Sequence, residues 1–508
     1  MMAARSAASP LLAATKPPTG YDSGMATRLP LLPLALTLAL PAADWPMFRG
    51  VNGSGVAQVS AAPTDFGPDK NVVWKTALPF GHSSPVITGD LIFLTGAEGG
   101  ERVDAGRGDK VIDQGGKLFT LCLDRKSGKI LWRREAPRPR LERYQKVNSP
   151  ASPSAATDGK NVFIFFADYG ILSYTKDGAE RWRAPLGPFN NVNGHGSSPI
   201  VHNDLVILVC DQDSGSYLLA LDKNTGRERW RVDRSEVTRS YVTPAVFTPK
   251  NGPAELIVPG AYRVTSYNAA TGEKLWWVRG FSWQPKSLPV IDGDMIYVHG
   301  WEGGGEAESP TETPSWTEAL QLYDANKDGK IVQDEIDPKM RNSFYLLDLD
   351  GKGYLAPLDW DFYRARRAAR NTLLAIQHGG RGDLSDSAVR WRMQKFLPNV
   401  PSPLLYQGVL YLVKDGGIFS SVDPKTGAIL KQGRLTGALD TYYSSPVAAA
   451  GKVYLFSQNG IATVLKAGAQ WEPLAVIDMD EPIFATPAFI DNRMYLRTRA
   501  ALYCFQAN

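Results

Sequence analysis

The sequence predicts an all-β fold, an eight-bladed β-propeller with a small helical insertion in its fifth blade, and three observations carry that expectation. A Pro, usually after Ser or Thr, opens an apolar run eight times; the openings recur at blade-sized intervals; and the last unit lacks one strand that the start of the chain can supply. Composition agrees. Of 508 residues 43% are hydrophobic and 10% aromatic, while 48 Gly and 36 Pro call for many turns rather than long helices.

The openings are Pro85, Pro153, Pro199, Pro244, Pro289, Pro403, Pro446 and Pro487, with successive gaps of 68, 46, 45, 45, 114, 43 and 41 residues. The basic period is about 43 residues, one four-stranded blade, with two oversized units. Within the unit at Pro199 the strands Pro199-Ile-Val-His-Asn, Leu205-Val-Ile-Leu-Val and Tyr217-Leu-Leu-Ala-Leu-Asp are followed by the turn Lys223-Asn-Thr-Gly226 and a strand ending in Trp230. The turn returns as Asp124-Arg-Lys-Ser-Gly128, Ala269-Ala-Thr-Gly272 and Asp423-Pro-Lys-Thr-Gly427, where glycine supplies the positive φ such hairpins need. Tryptophan returns at Trp132, Trp182, Trp230 and Trp276 and, at looser spacing, at Trp391 and Trp471. A large ring at one strand position separates blades that bury their faces on each other.

The last unit, Pro487 to Phe505, holds about three strands, and Asn71-Val-Val-Trp74-Lys-Thr-Ala-Leu78 is a lone strand ahead of the first opening. Each completes the other, which closes the ring and removes its exposed edges. An open sandwich or two stacked sheets could share this spacing.

Ahead of the propeller, the apolar stretch Leu29 to Leu40 follows Arg28 and precedes Pro41-Ala42-Ala43, the layout of a secretory signal peptide. It is too short to span a bilayer. Met25 is the better start, cleavage near Ala43 leaves a mature chain from about Asp44, and a periplasmic or secreted product with no transmembrane segment follows. The expected division is 1–43 upstream extension and signal peptide, 44–304 the N-terminal strand and blades one to five, 305–371 an insertion, and 372–508 the rest. A net charge of +4 gives no nucleic-acid footprint. Cys122, Cys210 and Cys504 lie in apolar runs of different blades and are expected as unpaired core residues.

The extra length of blade five begins after Met295-Ile-Tyr-Val-His-Gly300 and ends before Thr372-Leu-Leu-Ala-Ile376. Its centre, Asp324-Ala-Asn326-Lys-Asp328-Gly329-Lys330-Ile331-Val-Gln-Asp-Glu335, has the spacing of an EF-hand loop. Calcium needs six or seven hard oxygens: Asp324, Asn326, Asp328, the Lys330 carbonyl and both oxygens of Glu335 supply them, and Gly329 allows the sharp turn. Trp316 to Tyr323 and Glu335 to Leu347 are the expected flanking helices, with a break at Pro338. A second loop has Asp348, Asp350, the Tyr354 carbonyl and Asp359 as candidate ligands, but Lys352 sits where an oxygen belongs and Asp359 is one methylene short of Glu. It either binds calcium weakly or only pairs with the first hand through Ile331 and Leu355.

Both oversized units insert on the same propeller face, blade one between about Gly96 and Lys117 and blade five opposite, so the two insertions can roof the axial channel. That face gathers His82, His195, Arg239, Tyr241, Trp283, Lys286 and Tyr442 as candidate cofactor or ligand residues, with Asn148, Asn191 and Tyr443 beside them. Aromatics next to cations suit an anionic aromatic cofactor or a glycan, and a merely wet loop rim is the competing reading. Asp440 is a candidate base by position alone.

The turn, Gly and Trp units resemble the repeats of pyrroloquinoline-quinone dehydrogenases and related propellers. The run Asp44-Trp-Pro-Met-Phe-Arg-Gly-Val-Asn-Gly-Ser-Gly-Val56 is similar to the mature N-terminal motif of exported members. The likeness covers nearly all of residues 44–508. It implies either a binding scaffold, of the kind the outer-membrane assembly propellers are, with a protein or glycan partner, or a pyrroloquinoline-quinone-dependent alcohol or polyol dehydrogenase. Against the second, no adjacent Cys pair is present, and the family's calcium-binding Asp with Glu or Asn is matched at no blade.

Overall fold

The structure, a computed structural model, describes residues 44–106, 109–303, 305 and 312–507; the expected signal peptide lies outside the described residues. Eight sheets carry the chain, each with four antiparallel strands; two of them, blades four and seven, gain a short fifth strand that runs parallel. Blade one is Val86–Thr88, Leu91–Glu98, Lys117–Asp124 and Ile130–Glu135. Blade eight joins Ala488–Ile490, Arg493–Arg497 and Ala501–Gln506 to the N-terminal strand Val72–Ala77, with Trp74 opposite Cys504 and Thr76 opposite Leu502.

Burial explains the strand sequences. An inner strand such as Leu205–Cys210 is buried at every position because blades cover both its faces, so it reads as unbroken apolar sequence; the outer strand Glu228–Asp233 alternates because one side meets water. The core is a series of apolar layers between neighbouring blades. Phe93, Val162 and Ile164 pack between blades one and two, Phe163 and Leu208 between two and three, and Leu94, Tyr454 and Leu502 join blades seven, eight and one. The three cysteines are free and buried in these layers.

The repeated Trp and turn Gly are two halves of one contact. Trp74, Trp132, Trp182, Trp230 and Trp391 each lie over the turn glycine of the next blade, namely Gly128, Gly178, Gly226, Gly272 and Gly427, where any Cβ would collide with the indole. Four of these indoles also donate to a carbonyl of that turn, as Trp132 Nε1 does to Lys176 O at 2.8 Å. Trp391, at looser spacing, is therefore a full member. Trp276 is not: it is buried and donates to Glu255 Oε2 at 2.9 Å.

A Ser or Thr beside the Pro of seven of the eight openings forms a second belt around the axis. The amide of Thr486 donates to Ser84 Oγ (2.9 Å), Ser84 to Ser154 (2.9 Å), Ser154 to Ser198 (2.9 Å) and Ser198 to Thr243 (3.1 Å). The belt resumes as Leu288 to Ser402 (2.9 Å), Ser402 to Ser445 (3.0 Å) and Ser445 to Thr486 (3.0 Å). The blade-five opening has Leu288 before its Pro, and there Ser287 donates its hydroxyl to His299 O of the same blade.

The segment after Asp44 plugs the axis. Trp45 pairs with Ile87 of blade one, Pro46 O accepts from Thr157 of blade two, and the Asn52 amide bonds both main-chain groups of Val246 in blade four at 2.8 Å. Arg49 Nη2 donates to Pro403 O of blade six at 2.9 Å, and Val56–Ala57 adds a parallel strand to blade seven. Contacts to so many blades can be made only across the axis. Gly53, at φ 67°, lies against Leu288 where no side chain fits.

The blade-five insertion leaves at Gly300 and returns at Thr372, which are paired with each other. It holds helices α1 (Trp316–Tyr323), α2 (Pro338–Arg341) and α3 (Pro357–Ala368) around its own core of Ala319, Ile331, Phe344, Leu355 and Trp360. The expected second flanking helix is not continuous: Asp337 caps a four-residue α2 at Pro338, and only a 3-10 turn, Phe344–Leu346, follows. Among the described residues no helix is long and apolar enough to cross a membrane.

Candidate functional site: an axial cavity under the insertion

A cavity of about 530 Å³ lies on the axis, within the size range of small-ligand sites. Phe48 of the plug reaches its wall from one end, and Tyr345, Leu346 and Arg366 of the insertion reach it from the other. The hydroxyl belt runs around it: Ser84, Ser154, Ser198, Thr243, Ser402, Ser445 and Thr486 all line the cavity. Lys110, from the blade-one insertion and held by Asp109, completes the roof.

The insertion is fastened across this mouth. Asn190 Nδ2 donates to Leu349 O at 2.7 Å, and Tyr262 Oη donates to Phe362 O at 3.2 Å. The Arg366 guanidinium lies 3.7 Å from the Trp283 ring and donates to Glu302 Oε2 at 3.3 Å. At its root the Asn371 side chain accepts from Glu302 N (2.8 Å) and donates to Glu302 O (3.1 Å).

Five of the seven expected ligand residues line the cavity. His82 stacks on Phe484 at 4.0 Å with Nδ1 3.4 Å from Asn148 Oδ1, and burial, aided by Arg497, pushes its pKa down to about 3, so it is neutral. Arg239 is anchored by buried Asp213 and stands 5.1 Å from the Trp283 ring, while Trp283 Nε1 donates to Thr238 Oγ1 at 2.9 Å. Tyr241 Oη accepts from Asn193 Nδ2 at 2.6 Å, and burial raises its pKa. Lys286 Nζ donates to the carbonyls of Gln284 (3.2 Å) and Trp301 (3.4 Å); burial lowers its pKa to about 8, with Glu302 and Asp415 pulling the other way.

His195 and Tyr442 are corrected. His195 is buried edge-on to Phe189, at 4.2 Å, and Gly196 lines the cavity instead. Tyr442 is fully buried and donates to Ala438 O at 2.8 Å, while its neighbour Tyr443 is the one that faces the cavity. In the same way Asn193, not Asn191, is on the wall. Asp440, the candidate base, is away from the cavity and accepts from the main-chain amides of Thr441 and Asn459 at 2.7 Å. Sequence reasoning missed Phe48, Trp301, Glu302 and Arg366; the belt alone had left a signal, a Ser or Thr next to seven of the eight opening Pro residues.

The loop expected as the first EF-hand, Asp324 to Glu335, makes a tight turn. Asp324 accepts from the amides of Asp328 (3.2 Å) and Gly329 (2.9 Å), Gly329 has φ 80°, and Ile331 pairs with Leu355 of the second loop. Glu335 Oε2 accepts from Val332 N at 3.0 Å. Among the described residues no three His, Cys, Asp or Glu side chains stand close enough to hold a metal, so the loop's carboxylates would have to gather on binding. The second loop carries its own cation: Lys352 Nζ donates to both oxygens of Asp350 (2.9 Å each) and to Asp359 Oδ2 (2.6 Å). Burial opposes this charge, but the two carboxylates outweigh it and raise the Lys352 pKa.

A calcium-bridged quinone does not fit the cavity. Glu302 is the one carboxylate on its described wall, and it is already committed to Arg366.

The fold recurs among solved structures. Over 92% of this chain and 80% of the other, it resembles a quinohemoprotein alcohol dehydrogenase from Pseudomonas putida, at 10% identity and TM-score 0.54. A europium-containing methanol dehydrogenase is similar at 10% identity and TM-score 0.53, over 91% of this chain and 98% of that one. BamB from Moraxella catarrhalis aligns at 12% identity and TM-score 0.49, over 85% and 98%. No curated protein matches the chain. The family model described as outer membrane protein assembly factor BamB matches residues 51–212, 119–276 and 214–332. Those segments span more than half of the sequence, and the chain belongs to this family of pyrroloquinoline-quinone-type repeat propellers.

Proposed function

We propose that this protein is an exported binding propeller that takes an acidic sugar, free or at the end of a glycan, in its axial cavity beneath a calcium-ordered lid. The observation that carries the reading is the lining of that cavity: a belt of hydroxyls, the amides of Asn148 and Asn193, the aromatic rings of Tyr241 and Tyr443, and the cations Arg239, Lys286 and Arg366. Hydroxyls and amides match a sugar's own donors and acceptors, rings cover its C–H faces, and guanidinium and ammonium groups meet its carboxylate. The family's description as an assembly factor names a binding role and supports this reading over a catalytic one. The apolar run Leu29 to Leu40 supports export.

Titration calorimetry in calcium tests it. Methyl glucuronide is expected to bind saturably, neutral methyl glucoside about tenfold or more weakly, a difference of about 1.4 kcal/mol. High salt should weaken only the first. Absence of saturable binding overturns the reading. So does steady reduction of a dye by alcohols after reconstitution with pyrroloquinoline quinone and calcium, which would make the protein a dehydrogenase.

The lid's calcium is assigned to Asp324, Asn326, Asp328, the Lys330 carbonyl and Glu335, with a dissociation constant of about 10⁻⁴–10⁻³ M as in extracellular modules. The second loop is left out because Lys352 fills it. Calcium titration should count one ion in the wild type, none in Glu335→Gln and two in Lys352→Asp. Two ions in the wild type, or one in Lys352→Asp, would contradict the role given to Lys352.

A further inference from the structure

Lys286, counted above among the cations of the cavity wall, differs from the other two in its partners. Lys286 makes no ion pair among the described residues, although Arg239 and Arg366 on the same wall are each matched to a carboxylate. Its nitrogen meets two main-chain carbonyls, those of Gln284 and Trp301. Two acceptors satisfy the two N–H groups of a neutral amine and leave its lone pair for the cavity. An ammonium would keep a third donor, which nothing on the described wall receives.

Resting on the acidic-sugar reading, we propose that Lys286 is a carbonyl-capturing amine, which holds the open-chain aldehyde of a sugar acid as a reversible imine. The amine nitrogen attacks the aldehyde carbon, a C–N bond forms, and the carbonyl π bond opens to a hydroxyl. The nitrogen then gives up its proton, the hydroxyl leaves as water, and a C=N bond remains, with no oxidant or reductant consumed. The Glu302 carboxylate, also on the wall, can take the proton that the nitrogen gives up and pass it to the departing hydroxyl. Burial has already lowered Lys286 to about 8, which gives it far more free amine near neutral pH than an exposed lysine has. The two guanidiniums and the hydroxyl belt select the substrate class, a short polyhydroxylated carbonyl compound bearing a carboxylate.

The test traps the imine on the full calcium-loaded protein with glucuronate and sodium cyanoborohydride, followed by peptide mass mapping. We expect Lys286 to carry the adduct at least about tenfold above any other lysine, and Lys286→Arg to lose it while keeping its melting profile. Methyl glucuronide has no free aldehyde and separates the two claims. If it binds while glucuronate labels Lys286 no more than surface lysines, the imine is wrong and the binding reading stands. If neither compound binds, both fall.

Discussion

Replacing Asp211 by Ala should destabilise the protein by about 3–5 kcal/mol, because it leaves a buried guanidinium without its counter-ion. Arg234 and Asp211 are both 0% exposed. The pair is bidentate, at 2.7 and 2.9 Å, and the remaining groups are satisfied by Tyr267 Oη, which accepts from Arg234 at 2.7 Å, and by Ser240 Oγ, which donates to Asp211 at 2.6 Å. The control is Glu228→Ala, which removes the partner of Arg231 in a pair 41% and 47% exposed. Water screens that pair, and its loss should cost at most about 1 kcal/mol. Urea unfolding of the two variants checks the contrast; equal losses would show that the Asp211 network is not closed off from water.

Trp74→Ala should cost about 3–5 kcal/mol, as large-to-small changes of buried aromatics do. The size is informative because Trp74 belongs to a strand more than 400 residues away in sequence from the strand it pairs with. Its ring sits over Gly128 of blade one, 6.0 Å from Tyr495 of blade eight, and Nε1 donates to Arg125 O at 3.2 Å. One side chain therefore ties the closing strand to the rest of blade eight and to blade one. A loss below about 1 kcal/mol in equilibrium unfolding would mean that the ring does not depend on this closure.

These two sites differ in how far sequence reveals them. Trp74 was legible because it repeats: the Trp and the turn Gly recur with the blade, and the surplus strand at one end answers the missing strand at the other. Asp211 and Arg234 recur nowhere, and their bond comes from the return of two loops to one spot. The cavity wall shows the same division. The opening Ser and Thr residues repeat, so the belt was present in the sequence as a pattern, although its hydrogen-bonded circuit needs eight blades in place.

The rim loops obey no strand alternation, so sequence could not choose between Tyr442 and Tyr443, or between His195 and Gly196. Arg366 reaches the cavity only because α3 is laid across the mouth, where Asn190 and Tyr262 fasten the insertion. In the Asp348 to Asp359 loop, expected as a second EF-hand, Lys352 could be seen to depart from the ligand pattern. That it turns inward onto Asp350 and Asp359 is a three-dimensional fact.

The most direct measurement of the account is a crystal structure of the calcium-loaded protein with methyl glucuronide. It should show one calcium in the Asp324 to Glu335 loop and the sugar on the axis between Phe48 and Tyr345, with its carboxylate against the cations beside Trp283. A sugar bound on the outer strands, or an insertion standing clear of the mouth with the cavity filled by nothing but solvent, would contradict it.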